Sequence, residues 1–258
     1  MEAVDNEFYD RINDAWWNDE TFMAILRTAI NPPRFEYFRT IAYERFGSEL
    51  LDKQVLDVGC GGGLLAEQFA ALGCALTGVD QSAPSLGVAH AHAAANGLGI
   101  RYLHASAESL PFDAQSFDMV CCCDVLEHVD DVEKVVAEIS RVLRPRGLFF
   151  FDTINRTLRS KLVAIKLAQD WRLTRIAPTN VHVWRQFIRP AELASSLSRH
   201  SFIDPKFVGL SPSNPLSAIL AFLKLKAGRL SFGELGRRLL LAPSRDLSIS
   251  YMGVATRS

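Results

Sequence analysis

At 258 residues and 48% hydrophobic, the chain can bury one large core and need not be divided into two domains. No run reaches about eighteen uninterrupted apolar residues, which excludes a transmembrane helix. Five cysteines, three of them consecutive at Cys121 to Cys123 and none in a Cys-x-x-Cys pair, exclude a secreted disulfide framework and read as small buried side chains in a reducing cytoplasm.

In chain order, the N-terminus Met1-Glu-Ala-Val-Asp-Asn-Glu7 lacks the basic and apolar regions of a signal peptide. A helical region follows over about 5 to 48. Strands are expected at 54 to 58, 75 to 79, 100 to 104, 117 to 122 and 147 to 153, with helices at 64 to 72, 84 to 96 and 132 to 143 between them. This alternation predicts a parallel sheet covered on both faces, with ligand beyond the carboxyl ends of the strands. Gly59, Asp80, Asp124 and Asn155 all fall at those ends. Arg144-Pro-Arg-Gly147 closes the last helix before the fifth strand.

The first strand runs into Val55-Leu-Asp-Val-Gly-Cys-Gly-Gly-Gly63, and the second, Leu76-Thr-Gly-Val-Asp80, ends in a carboxylate. Glycine at 59, 61 and 63 lets backbone approach a ligand without Cβ obstruction, and Asp80 is placed to accept from ribose hydroxyls. A nicotinamide dinucleotide site shares these features, but its Gly-x-Gly-x-x-Gly spacing is replaced here by Gly-x-Gly-x-Gly.

Net charge is divided along the chain. Residues 156 to 258 hold 17 Lys or Arg against 5 Asp or Glu, a balance of +12, which leaves −13 for residues 1 to 155. The span Leu158 to Trp171 reads as a lid helix with Leu158, Leu162, Ile165 and Ala168 on one face. The span Leu216 to Lys226 is strongly apolar and too short to cross a bilayer. With Lys224, Lys226, Arg229, Arg237 and Arg238 nearby, it suits peripheral contact with an anionic membrane as well as packing on the domain.

The order of the glycine turn, Asp80, Ala105-Ser-Ala-Glu108 and Asp124-Val-Leu-Glu-His128 resembles class I S-adenosylmethionine-dependent methyltransferases. Adding Asn31-Pro-Pro-Arg34, Thr153-Ile-Asn-Arg156, Phe187-Ile-Arg-Pro-Ala-Glu-Leu193 and Tyr251-Met252, the chain is similar over most of its length to the ubiquinone-biosynthesis O-methyltransferases. The resemblance implies a Rossmann-like α/β fold, a mostly parallel twisted sheet with helices on both faces and a helical cap. It implies one domain over 1–258, with an N-terminal helical region at 1–48 and cap segments within 156–245. It also implies that Arg34, Asp57, Gly59, Gly61, Asp80, Gln81, Ala107, Glu108 and Cys123 hold S-adenosylmethionine. The acceptor implied is a phenol or catechol of the kind that carries a prenyl chain in quinone synthesis; nucleic acid is not expected. A methyltransferase of secondary metabolism and a noncatalytic cofactor-binding partner of a biosynthetic complex are the alternatives.

Methylating a phenol of pKa near 10 at neutral pH needs a base or a metal. Asp124, Glu127 and His128 gather two carboxylates and an imidazole at a strand end, suited to general-base catalysis or to Mg²⁺ bound by Asp124, Glu127 and His128. His182 is a second base candidate. The sequence departs from the family where Asp124 stands in place of the usual Glu, at Val181-His-Val-Trp184, and in the enlarged basic and apolar stretch from about 211 to 245.

Overall fold

The structure, a computed structural model, describes residues 4–47 and 50–258; residues 1–3 and 48 of the expected N-terminal helical region lie outside the described residues. The chain opens with Phe8–Arg11 (α1) and a 3₁₀ turn at Asn13–Trp16. Met23–Ile25 (α2) continues through a π-wound turn, Leu26–Ile30, into Asn31–Phe46 (α3). Pro32 and Pro33 cannot donate to the turn before them, and the helix widens there instead of breaking.

The core alternates as expected: Gln54–Val58 (β1), Leu64–Ala70 (α4), Ala75–Asp80 (β2), Ala83–Ala95 (α5), Arg101–His104 (β3), Phe117–Cys123 (β4), Val132–Val142 (α6) and Leu143–Ile154 (β5). Leu158–Ser160 (α7) then enters a π-wound segment, Lys161–Asp170, followed by a 3₁₀ turn at Trp184–Gln186. The remaining elements are Pro190–Arg199 (α8), Phe202–Pro212 (β6), Pro215–Lys226 (α9), Phe232–Leu239 (α10), Leu241–Ser244 (β7) and Ser250–Arg257 (β8). All eight strands form one sheet in the order β3-β2-β1-β4-β5-β8-β6-β7. The first five are parallel, and β8, β6 and β7 add antiparallel pairings.

The parallel strands bury both faces, so consecutive side chains serve different cores. Leu56, Val120, Cys122, Phe149 and Phe151 join Val135, Val136 and Ile139 of α6 on one side. Val55, Met119, Cys121, Cys123 and Phe150 join Phe38 of α3 and Phe69 of α4 on the other. The cysteine run is thus divided between two apolar layers, and all five cysteines are buried and unbridged.

Three differences from the sequence reading matter. Strands β6 and β7 lie within 156–245, between and beside the expected cap segments, and were not anticipated. The fifth strand begins at Leu143, which pairs with Phe117 ahead of a register shift that spans Arg144 to Gly147. The lid segment is largely π-wound, and its expected apolar face is not buried: Leu158 is 79% exposed and Leu162 is 45% exposed.

Candidate active site

The carboxyl ends of β1, β2 and β4, roofed by the N-terminal residues, enclose a cavity of about 580 Å³. Its floor is the glycine turn. The amides of Gly59 and Cys60 both donate to the Val79 carbonyl, at 2.8 and 3.0 Å. Gly59 has φ +71°, and a Cβ there would lie 2.2 Å from Val125 Cγ2; at Gly61, with φ +50°, it would lie 2.4 Å from Trp16 Cη2. Any side chain would fill the cradle or displace its walls. The Asp80 carboxylate accepts from the amides of Gly61 and Ser82, each at 2.8 Å. Burial raises its pKa and these backbone donors oppose the rise.

A strap formed by residues 6 to 17 closes the opposite side. Trp16 Nε1 donates to Ser85 Oγ at 3.0 Å, Trp17 Nε1 to the Gly62 carbonyl at 3.0 Å, and Asn6 Nδ2 to the His128 carbonyl at 3.1 Å. Tyr9 and Trp16 stack with ring centroids 6.1 Å apart, and both line the cavity.

Arg34 is 3% exposed and forms the electrostatic centre of the wall. It donates from Nη1 to Asp124 Oδ2 at 2.5 Å and from Nη2 to Asn31 Oδ1 at 3.1 Å, while its Nε has no partner. Burial disfavours its charge, but Asp124 and the Asp152 carboxylate, 3.8 Å away, outweigh that and raise its pKa. Asp57 is buried with Oδ2 unpaired; desolvation pushes it up to about 7, against the pull of Arg34. Asp124 holds φ +55°, a left-handed conformation in which Asp is among the better tolerated residues.

Beyond Asp124, Glu127, His128 and His182 bring one ligand atom each within 4.8 Å of one another. Glu127 Oε2 accepts from Thr153 Oγ1 at 2.7 Å and Oε1 is unpaired. Desolvation and the Asp124 charge push the Glu127 carboxyl up to about 8. Desolvation brings His128 down to about 3, aided by His182, and His182 down to about 4. Both imidazoles are therefore neutral at physiological pH, with a lone pair available. His128 Nε2 lies 3.5 Å from the Tyr9 hydroxyl and its Nδ1 is unpaired.

The metal expectation is corrected here. Asp124 is committed to Arg34 and is not among the clustered donors; His182 takes its place. Two nitrogens and one carboxylate are a donor set for a transition-series divalent cation, whereas Mg²⁺ favours oxygen. These donors do not fit the expected Mg²⁺.

All nine residues expected to hold the cofactor line the cavity: Arg34, Asp57, Gly59, Gly61, Asp80, Gln81, Ala107, Glu108 and Cys123. Gln81 Nε2 donates to Ser106 Oγ at 3.1 Å, and Glu108 Oε1 accepts from the Asp131 amide at 3.0 Å. Of the three expected catalytic groups, Asp124 and His128 line the cavity, while Glu127 lies behind its wall and is 1% exposed. Tyr9, Trp16 and Asp152 escaped the sequence reading. The strap aromatics carry no motif, and Asp152 sits within the apolar run Leu148 to Asp152, where only its being a lone acid in a core strand gives a signal.

The methyltransferase domain model matches residues 56–151. A ubiquinone biosynthesis O-methyltransferase of Rhizobium leguminosarum is 38% identical over 71% of this chain and 74% of its own length. Another from Methylobacterium sp. strain 4-46 is 33% identical over 96% of this chain and 92% of its own. Among solved structures, a SAM-dependent methyltransferase from Thermotoga maritima, described as a possible histamine N-methyltransferase, superposes with a TM-score of 0.63 at 17% identity, over 98% of this chain and 99% of that one. That likeness concerns the fold alone. Sheet order, domain match and glycine-turn cavity define a class I S-adenosylmethionine-dependent methyltransferase. More narrowly, the chain belongs to the ubiquinone biosynthesis O-methyltransferase family.

Proposed function

We propose that the protein methylates a phenolic or catechol oxygen on a prenylated precursor in ubiquinone or related isoprenoid-quinone synthesis. The observation that carries this reading is one cavity whose wall joins the Gly59 to Gly61 turn and Asp80 to Asp124 and His128. S-adenosylmethionine, when bound, supplies a methyl group on a sulfonium. The residues fit it: Gly59 and Gly61 leave a cradle that a Cβ would fill, Asp80 offers a carboxylate to ribose, and Arg34 Nε offers an unpaired donor toward its carboxylate.

The chain's own work is alignment, exclusion of water and removal of the phenolic proton. Tyr9 and Trp16 roof the cavity against solvent. His128 lines it as a neutral imidazole and is assigned as the group that meets the acceptor proton. Its basicity, set near 3 by burial, falls about seven units short of a phenol. The negative charge that forms on the acceptor oxygen as its proton moves to the imidazole raises that value, as Asp124 already does. Glu127, whose carboxyl is pushed up to about 8, lies within 4.8 Å of the imidazole and keeps Oε1 unpaired. Alternatively, Glu127, His128 and His182 would hold a divalent cation, which would supply a Lewis acid that lowers the phenol's own pKa.

The test incubates the purified protein with short-chain prenyl catechols, simple phenols and amines, following S-adenosylhomocysteine. Turnover confined to phenolic acceptors supports the reading, and turnover on amines alone overturns it. Loss on chelation with recovery by a divalent transition metal identifies the cation route. Indifference to chelator with loss in His128→Ala identifies the direct base.

We further assign contact with an anionic membrane to the basic C-terminal part, since a prenylated acceptor resides in lipid.

A further inference from the structure

Tyr9 is anchored by its backbone while its hydroxyl stays loosely engaged. Its carbonyl accepts from Ser85 Oγ at 3.1 Å, and that hydroxyl oxygen in turn accepts from Trp16 Nε1 at 3.0 Å. The Ser85 amide donates to Ser82 Oγ at 3.2 Å, and the Ser82 amide donates to Asp80 Oδ1 at 2.8 Å. A short chain of bonds thus ties Tyr9 to the carboxylate on the cavity floor. Phe8 packs edge-on against the Tyr9 ring with centroids 5.4 Å apart, and Trp16 stacks on it. A side chain locked by packing in this way holds its terminal oxygen in one place.

That place is the cavity wall beside His128. The two rings stand at 85° with centroids 5.6 Å apart, and the Tyr9 hydroxyl lies 3.5 Å from His128 Nε2, its one hydrogen-bond neighbour among the described residues. A bond that long is weak, since O–H donors normally approach to under about 3 Å. Neighbouring polar groups are already committed: Asn6 Nδ2 donates to the His128 carbonyl, and Asp124 accepts from Arg34. Burial and the charges of Asp124 and Glu127 raise the Tyr9 pKa, so the oxygen keeps its proton and remains a hydrogen-bond donor. The wall therefore presents a donor, the Tyr9 hydroxyl, beside an acceptor, the lone pair of Nε2. A single oxygen about 2.8 Å from both would hold them at an angle under about 80°, well below what hydrogen bonds prefer. Two oxygens on adjacent ring carbons face one group each.

We propose that Tyr9 is a specificity-determining residue for the acceptor: its hydroxyl donates to the ring oxygen adjacent to the one methylated, so that Tyr9 and His128 read two neighbouring oxygens and decide which of them receives the methyl. The inference rests on the assignment of His128 to the acceptor proton and deepens it. In the step so oriented, the proton of the second oxygen passes to Nε2, the electron pair left behind bonds the methyl carbon, and the S–C bond breaks to leave a thioether. Tyr9 keeps its own proton throughout. A monomethyl ether of a catechol still accepts from Tyr9, whereas an unsubstituted phenol brings no second oxygen to it.

Calorimetry on the full chain loaded with S-adenosylhomocysteine, with chelator present, tests the site using catechol, 2-methoxyphenol and phenol as probes and Tyr9→Phe as the variant. The substitution keeps the ring and its packing and removes one oxygen. The parent should bind catechol and 2-methoxyphenol roughly 3–10-fold more tightly than phenol, the factor for one neutral hydrogen bond, and Tyr9→Phe should bring the three affinities together. With a short-chain prenyl catechol as acceptor, the variant's KM should rise by a similar factor while kcat changes less, and the parent's single methoxy isomer should become a mixture. Equal affinity of the parent for catechol and phenol, or a catechol preference undiminished in Tyr9→Phe, would overturn the proposal. So would an equal weakening of S-adenosylhomocysteine and all three probes, which would assign Tyr9 to the packing of the strap alone. A preference lost in the variant while the parent turns over only amines would overturn the phenolic reading and leave this site standing.

Discussion

At the scale of single residues, the cavity depends on a few groups with no spare partner. Gly59→Val places branched carbon where Val125 already lies 2.2 Å from an added Cβ, at a positive φ that valine resists. It should lose S-adenosylmethionine affinity outright and cost about 1–3 kcal/mol of stability. Asp80→Ala removes the acceptor of two backbone amides, the same carboxylate proposed to meet the ribose, and affinity should fall roughly 10–100-fold, as expected for hydrogen bonds to a charged group. Calorimetry on folded variants checks both, and unchanged affinity in either contradicts the assignment. Glu127 gives a pH signature. Its carboxyl moves from an ordinary 4.5 to about 8 on folding, so the native state keeps a proton that the unfolded chain releases between those values. Its contribution is whole below pH 4.5 and is lost as pH rises to 8. His182 runs the other way: its value falls from 6.5 to about 4, so stability is lost as pH drops from 6.5 to 4. The ligand-free protein should therefore lose Tm between pH 6.5 and 8, and Glu127→Gln, which keeps an acceptor for Thr153, should flatten that decline. An undiminished slope in thermal melts would show that Glu127 ionises normally.

At the scale of elements, the strap over the glycine turn is the part whose removal should act on kinetics. Trp16→Ala deletes the ring that roofs Gly61 and its bond to Ser85, and should speed S-adenosylmethionine dissociation at least tenfold in stopped-flow while the sheet stays folded. Unaltered dissociation would mean the strap does not confine the ligand. This element also marks the limit of sequence reading. Strands β1, β2 and β4 were legible because buried parallel strands write apolar runs ended by glycine or acid, as at Val58-Gly59, Val79-Asp80 and Cys123-Asp124. Strands β6 to β8 were not: β6 carries Asp204 at φ +52° and Pro205 at a register shift, and β7 is four residues with Pro243. Their pairing is decided by partners distant in sequence. The π winding at Lys161–Asp170 was equally silent, since its apolar residues keep a 3.6-residue spacing while the backbone winds more widely. Motif residues at strand ends announced the cavity floor, whereas Tyr9 and Trp16 reach it only through tertiary folding of a segment with no pattern of its own.

At the scale of the whole molecule, charge and fold divide the labour. The acidic N-terminal part, at −13, holds the parallel sheet and the donor cavity, and the basic part, at +12, holds the antiparallel strands and α9. Membership of the family and the methyltransferase fold stand on the comparisons; the phenolic oxygen as the receiving atom is the central claim. It is tested most directly by incubating the protein with a short-chain prenyl catechol and S-adenosylmethionine carrying a carbon-13 methyl, then locating the label by nuclear magnetic resonance. A labelled methoxy carbon on the ring, formed one-for-one with S-adenosylhomocysteine and abolished in Asp80→Ala, is the expected result. Label on a ring carbon or on nitrogen, or no transfer to any phenol by protein that binds the donor, would contradict it.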